Sequence, residues 1–329
     1  MAPSSEQRQR RRRERYAWPP DPEPLPVPVV DNHTHLDSIH HVLGGVAPGG
    51  TWYPDGTDGP ADPVRVPTTA EHVARAAAAG VPRLVTVGCD LDAVAWTDAV
   101  VREHDALVGA VAIHPNEAVL HTGVREVGPD GLEPDPQPRH DVPLDDAIAR
   151  VAEVARANPR IRAIGETGLD LFRTGPEGAK AQRESFRAHL ALAKELGLPV
   201  QIHDRDAHAE VVEVLLADGA PERTVFHCFS GDAALARLAA ERGWYLSFAG
   251  PLTFGANDAL RAALAVTPLD HVLVETDAPY LTPHPFRGRP NAPYLLPHTV
   301  RRAAEVQGVE LADFCAAVAR NSAEVYGTW

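Results

Sequence analysis

The chain of 329 residues is short of several residue types, and each shortage narrows what it can be. Its three cysteines, Cys89, Cys228 and Cys315, are odd in number, widely spaced and form no Cys-x-x-Cys pair. That usage suits a reducing, cytoplasmic setting and excludes a cysteine-based zinc knuckle. Each thiol reads as a small buried apolar group rather than a nucleophile. Lysine is nearly missing, with Lys180 and Lys194 the only examples. No stretch approaches the roughly 18 consecutive apolar residues of a membrane span, so no membrane partner is expected. No internal repeat recurs at a fixed period.

What is present is ordinary for a globular protein: 44% hydrophobic and 23% charged residues. Charge is unevenly placed. The first 16 residues carry six Arg and two Glu, a balance of +4, so the remainder holds −18 of the total −14. Pro-rich sequence rather than an apolar segment follows the Arg run, which argues against a secretory or twin-arginine signal. Residues 1–24 read as a disordered basic tail, and 25–329 as a single domain. The acidic body argues against broad binding to duplex nucleic acid, though not against a small electropositive pocket.

After the tail, short β-rich runs alternate with Ala/Leu-rich helical stretches. Strands are predicted over 27–35, 83–89, 107–114, 161–166, 199–203, 224–227, 244–248 and 271–277. Between them, Thr68-x-x-Glu71 predicts a capping box opening a helix that closes at Gly80. Further helices are predicted from Pro176 to Gly197 and over 232–242, 256–266, 298–307 and 310–320. Eight strands alternating with helices predict a parallel α/β fold, a (β/α)₈ TIM barrel. Residues 38–66 and 121–143 exceed what such a barrel needs. They read as two loop insertions at the C-terminal face, where barrels of this kind keep their active sites.

The predicted strand ends carry the informative residues. The first presents His33 and His35 in Asp31-Asn-His-Thr-His-Leu36, two imidazoles on one face of a strand. Later ends present His114, Glu166, His203, His227 and Asp277. Neutral imidazole and carboxylate suit Zn²⁺, Mn²⁺ or a related divalent ion. The set exceeds one tetrahedral site. His33, His35 and Asp277 could hold one ion and His203 with His227 a second, Glu166 bridging. Two such ions, Mg²⁺, Mn²⁺ or Zn²⁺, polarise a substrate oxygen and acidify a shared water.

At these residues the chain resembles the TatD family of metal-dependent hydrolases, within the amidohydrolase-like barrels, over residues 27–327. The matching motifs are Asp31-x-His-x-His-Leu36, Ile113-His-Pro115, Gly165-Glu-Thr-Gly-Leu-Asp170, Gln182-x₃-Phe186, Ile202-His-x-Arg205, His227-x-Phe-Ser-Gly231, Glu275-Thr-Asp-x-Pro-Tyr-Leu281 and Arg287-Gly-x-x-Asn291. The resemblance implies metal ligands at His33, His35, Glu166, His203, His227 and Asp277, with His114 lining the substrate pocket. Four positions depart from the family pattern: Thr34 replaces a Cys, Leu171 an aromatic, His189 a Gln and Ala292 a Glu. A carboxylated lysine bridge, common in related barrels, is not expected, because Lys180 and Lys194 fall on the helix after the fourth strand.

The activity this implies is hydrolysis of phosphodiester bonds at the ends of single-stranded DNA or RNA. Asp277, Glu166 and His114 would be the catalytic residues. Arg205 is a candidate phosphate contact or the ion-pair partner of Asp204 or Asp206. Ser230, Arg287 and Asn291 are candidates for substrate binding or for loop capping, and His284 for a turn. Two other readings stand beside it. The same site could open an amide, lactone or small phosphoester, or the Arg-rich tail could make a non-catalytic nucleic-acid-binding protein. No obligate protein partner is evident.

Overall fold

The computed structural model describes residues 16–53 and 63–328. Eight parallel strands form one sheet in chain order: β1 (Val30–Thr34), β2 (Arg83–Gly88), β3 (Leu107–Val111), β4 (Ile161–Asp170), β5 (Val200–Arg205), β6 (Thr224–Phe226), β7 (Tyr245–Phe248) and β8 (Val272–Val274). Helices α1 (Thr69–Ala78), α2 (Leu91–Glu103), α3 (Pro115–His121), α4 (Leu144–Ala157), α5 (Pro176–Leu196), α6 (His208–Asp218), α7 (Ala233–Glu241), α8 (Asp258–Val266), α9 (Leu296–Gln307) and α10 (Leu311–Tyr326) return the chain between strands and close the fold. This is the expected TIM barrel. Thr68 and Glu71 form the expected capping box at α1.

Side-chain alternation along each strand divides the core in two. Leu84, Leu107, Val111, Ile164, Val200 and Ile202 face outward under the helices. Val30, Val85, Val87, Val108, Val225 and Leu273 face inward, and Val325 and Tyr326 at the end of α10 pack among them. Gln201 ties this floor together, its amide donating to Asn32 O and to the Tyr326 hydroxyl, each at 2.8 Å. At the seam between β8 and β1, Asn32 Nδ2 donates to Val274 O at 2.8 Å. The Asp31 carboxylate accepts from Thr276 N at 2.9 Å and from Thr276 Oγ1 at 2.5 Å.

Two register slips redirect the ends of strands. Along β1, Asp31 pairs with Leu84 and Thr34 with Thr86, so three steps oppose two. Along β4, Ile164 pairs with Val200 and Thr167 with Ile202, the same mismatch. Val30 and Ala163 face the interior, so unbroken alternation would aim His33 and Glu166 outward. The extra residue in each strand turns them into the barrel instead.

Some expectations need correction. Residues 1–15 of the predicted disordered tail lie outside the described residues, but residues 16–24 are packed against the barrel. Pro19 O accepts from Tyr294 Oη at 2.7 Å and from Arg75 Nη2 at 2.9 Å, and Trp18 O accepts from Arg289 Nη2 at 2.7 Å. Proline removes donors from this segment and leaves its carbonyls, which arginines can bind without a sheet ladder. The insertion after β1 contains a 3₁₀ turn (Ile39–Leu43) and a ribbon pairing Thr51–Trp52 with Val64–Arg65; residues 54–62 lie outside the described residues. The insertion after β3 begins with the last residue of α3, and its remainder is irregular apart from a 3₁₀ turn at Pro138–Asp141. Helices α2, α3, α4 and α6 were not predicted, and α10 runs six residues beyond its predicted end at 320. Asn321 resembles a helix breaker in sequence. Its amide instead donates to Leu269 O and Val272 O, each at 2.8 Å, across the base of the barrel. No helix among the described residues is long and apolar enough to cross a membrane.

Candidate metal centre

Six of the eight strand ends bring one or two of these side chains to a common mouth. His33 and His35 leave β1 with their Nε2 atoms 3.2 Å apart. Glu166 enters from the bulged stretch of β4, and its two oxygens face different neighbours. Oε2 lies 3.5 Å from His33 Nε2 and 3.7 Å from His35 Nε2. Oε1 lies 2.7 Å from His227 Nε2, 2.5 Å from His203 Nδ1 and 3.6 Å from His114 Nε2. Asp277 Oδ1 stands 3.4 Å from His35 Nε2 and 4.0 Å from His33 Nε2. Gly168 is required by this packing: a Cβ there would collide with the His203 carbonyl. Cys228, Asp277 and Leu281, all on the mouth, hold left-handed backbones with φ of 41°, 51° and 57°. Strain of this kind tends to gather at functional sites.

Orienting partners surround the imidazoles. His227 Nδ1 donates to Glu275 Oε1 at 3.1 Å, and His35 Nδ1 to Val87 O at 3.3 Å, leaving both Nε2 atoms for the mouth. His203 Nε2 donates to Asp170 Oδ2 at 3.2 Å, and Asn116 Nδ2 holds the same oxygen at 3.0 Å. Sequence reasoning assigned no role to Glu275, Asp170 or Asn116. Glu275 and Asp170 are carboxylates two and four residues from expected ligands in quoted motifs, so spacing could have flagged them.

Electrostatics separate the imidazoles. Burial, reinforced by neighbouring His227, lowers His33 to about 4, so this ring is neutral. Burial opposes charge on His35 as well, but the Asp277 hydrogen bond and the Asp277 and Glu166 fields raise it to about 9. His203 also reaches about 9 despite burial, drawn up by Glu166 and Asp170. Burial works against ionisation of Glu166, yet His227, His114 and His203 hold it well below the usual carboxylate range. The carboxylates thus draw positive charge to the positions where cations would bind.

The donor set fits divalent ions. Three trios bring one ligand atom each within 4.8 Å of one another: His33/His227/Asp277, His33/His35/Glu166 and His114/Glu166/His203. All are imidazole or carboxylate, the ligands such ions take, with outer partners fixing ring orientation. His114, expected as a catalytic and pocket residue rather than a ligand, belongs to the third trio. Lys180 and Lys194 lie apart, their ammonium groups bonded to Glu177 Oε1 and Asp218 O on the surface.

The mouth opens into a cavity of about 900 Å³ that Arg205 and Ser230 line. Arg205 stacks 4.2 Å over the Phe172 ring. Asp204, its expected ion-pair partner, bonds His208 instead at 2.7 Å. Ser230 Oγ is exposed and donates to Asp204 O at 3.3 Å. Arg287 stacks 4.1 Å over Phe254 on the rim, outside the cavity lining. Asn291 is corrected as a substrate contact: it is fully buried. Its Nδ2 donates to Thr276 O at 3.0 Å and to Tyr280 O at 2.5 Å, pinning the segment that carries Asp277. His284 lies in an exposed turn, its N–H donating to Thr253 Oγ1 at 2.8 Å.

A parallel barrel with imidazoles and carboxylates converging at its C-terminal mouth defines a metal-dependent hydrolase. Residues 30–327 match the family described as TatD related DNase, and the chain belongs to that family. It is 37% identical over 302 residues to an uncharacterized metal-dependent hydrolase TatD of Mycobacterium tuberculosis, covering 91% of this chain and 97% of the relative. It is 34% identical over 263 residues to a 3′-5′ ssDNA/RNA exonuclease TatD of Cronobacter sakazakii, covering 78% of this chain and 90% of that protein. Among solved structures, a TatD family hydrolase from Entamoeba histolytica superposes with a TM-score of 0.71 at 15% identity, covering 92% of this chain and all of that one. That likeness supports the fold alone.

Proposed function

We propose that this hydrolase is a nuclease that trims the ends of single-stranded DNA or RNA, using two divalent ions held on either side of Glu166. The division of the Glu166 oxygens between two sets of imidazoles carries the two-ion reading. One set is His33, His35 and Asp277; the other is His203 and His227, with His114 beside it. When bound, such ions supply Lewis acidity and an acidified water. In this reading Asp277 would act as the general base, accepting a proton at Oδ1. His114 and Arg205 would meet non-bridging phosphate oxygens.

Two features favour strand ends over long duplex. Relatives named as 3′-5′ ssDNA/RNA exonucleases are 34% identical to this chain over 263 and 223 residues. The cavity lining also holds more carboxylates than guanidinium groups, and one of its two arginines, Arg173, is paired with Asp130 at 3.1 Å. Such a mouth admits few phosphates at once. The same acidic rim favours, as a second reading, a small ester, lactone or amide.

The test incubates purified protein with 3′- and 5′-labelled single-stranded DNA and Mg²⁺ or Mn²⁺, beside Glu166→Gln. Metal-dependent release of mononucleotides, reduced on the order of 10³-fold in the variant, is expected. Turnover of small esters or amides with no nucleotide release would sink the nuclease reading and favour the second.

A further inference from the structure

A second cavity, of about 530 Å³, lies on the barrel flank between α8, α9 and the rim loops, and none of the roles above uses it. His298, Arg301, Arg302 and Glu305 line it at i, i+3, i+4 and i+7 spacing, one face of α9. Its carboxylates are already engaged. Asp258 Oδ1 accepts from Arg261 Nη2 at 2.5 Å, and Glu305 Oε2 accepts from Arg302 Nη1 at 3.0 Å. Arg261 spends its other donors on the carbonyls of Leu252, Phe254 and Gly255.

Two polar atoms remain unanswered. Arg301 Nη1 and His298 Nε2 are buried and have no hydrogen-bond partner. The other terminal nitrogen of Arg301 donates to Glu23 O and Pro24 O and lies 3.7 Å from the exposed Glu23 carboxylate, which holds the guanidinium in place. A buried guanidinium N–H without an acceptor is costly, so the arrangement calls for an acceptor from outside the protein. A guanidinium fork matches oxyanions, carboxylate and phosphate alike, and the carboxylates lining this cavity are already paired with Arg261 and Arg302.

The cavity borders the metal mouth through a single turn. Pro251, Ala256, Asn257 and Leu260 line the mouth, while Thr253, Gly255, Asp258 and Arg261 line the flank. Arg287 stacks on Phe254 of the same turn, outside the lining of either cavity.

We propose that the flank cavity is a second phosphate subsite, holding a backbone phosphate of the strand whose end occupies the mouth. The strand rests on the nuclease reading; the phosphate chemistry does not. Arg301 is its principal ligand, with His298 and Arg302 beside it.

The test has two arms, both on the full chain. In the first, inorganic phosphate is titrated while NMR follows the His298 ring, assigned by comparison with His298→Phe. A saturable shift, abolished by Arg301→Gln and weakened by Arg302→Gln, is expected. Arg302 makes no contact with residues 16–24, so its variant separates ligand loss from loosening of that segment. No saturable shift, meaning that water alone fills the cavity, overturns the site. In the second arm, affinity for labelled oligothymidylates of two to ten nucleotides is measured by anisotropy. Wild type gains affinity with length. Arg302→Gln and Arg301→Gln lose roughly tenfold for the longer oligomers, with a salt slope lower by about one. A phosphate shift without that length-dependent loss overturns the strand as its source and leaves free phosphate as the ligand. If wild type releases no nucleotide yet the shift saturates, the nuclease reading fails and the phosphate site stands.

Discussion

The mouth of the barrel and its helical shell both bury histidines, and they treat them in opposite ways. In the mouth, His35 and His203 face carboxylates and rise to about 9. In the shell, His189 of α5 has no carboxylate partner: its Nδ1 donates to Ser185 O at 2.8 Å, with Ser185 Oγ at 3.3 Å, and its Nε2 accepts from Ile113 N at 3.1 Å. Burial lowers it to about 4. His72 of α1, packed edge-on against Trp18 at 5.5 Å, is also lowered to about 4 by burial and nearby Arg75. Burial therefore says little about a histidine's role. Several carboxylates converging on imidazoles set the mouth apart; a single pair does not, since buried His140 meets Glu117 at 2.7 Å outside the three trios. His33, lowered to about 4 beside charged neighbours, completes the mouth as a neutral ring.

The contrast can be broken most forcefully at its centre. Glu166→Gln removes the charge that the mouth imidazoles share, so metal content measured by elemental analysis should fall steeply. Urea stability in chelator should fall too, by about 3–5 kcal/mol, because Gln leaves the imidazolium charge of His203 and His227 without its carboxylate. His189→Phe should separate the two effects: metal content is kept, and stability falls by about 1–3 kcal/mol as Ile113 N–H loses its acceptor. If His189→Phe also loses metal, the two classes of histidine are not distinct.

The next effect is a dependence on pH. His72 and His189 have folded values of about 4 against 6.5 for the free side chain, so the unfolded chain binds their protons more readily. Their stabilisation is complete above pH 6.5 and is lost as pH falls through 4, each contributing on the order of 3 kcal/mol. Denaturation midpoints in chelator across this window should show the decline, and His189→Gln should flatten part of it. A smaller change sharpens the same point. Trp18→Ala uncovers His72, and the ring's titration followed by NMR should move back towards 6.5. An unmoved titration would show that residues 16–24 do not shield it.

Residue type and spacing reached far into this molecule. Eight strands could be read from β-rich runs alternating with helical periods, because alternating faces leave a periodic trace in the chain. His33, His35, Glu166, His203, His227 and Asp277 could be picked out because each ends a predicted strand, and strand ends of a barrel converge. Asn291 could be read only as two alternatives, substrate contact or loop capping. In sequence such an Asn looks the same whether it meets a substrate or, as here, the carbonyls of Thr276 and Tyr280. Residues 16–24 misled for a similar reason: a Pro-rich segment has no pattern of its own, and its order comes from Arg75, Arg289 and Tyr294 elsewhere in the chain.

Local chemistry thus sufficed for the barrel class, the kind of ligand and the order in which the ligands arrive, since these depend on alternation and side-chain type. Contacts between distant segments set the rest. Register slips against β2 and β5 turn His33 and Glu166 inward. Glu275 and Asp170 orient His227 and His203 across strands. Which buried histidine meets a carboxylate and which meets a carbonyl is a matter of packing, because a side chain's charge is decided by what surrounds it in space rather than by its neighbours along the chain.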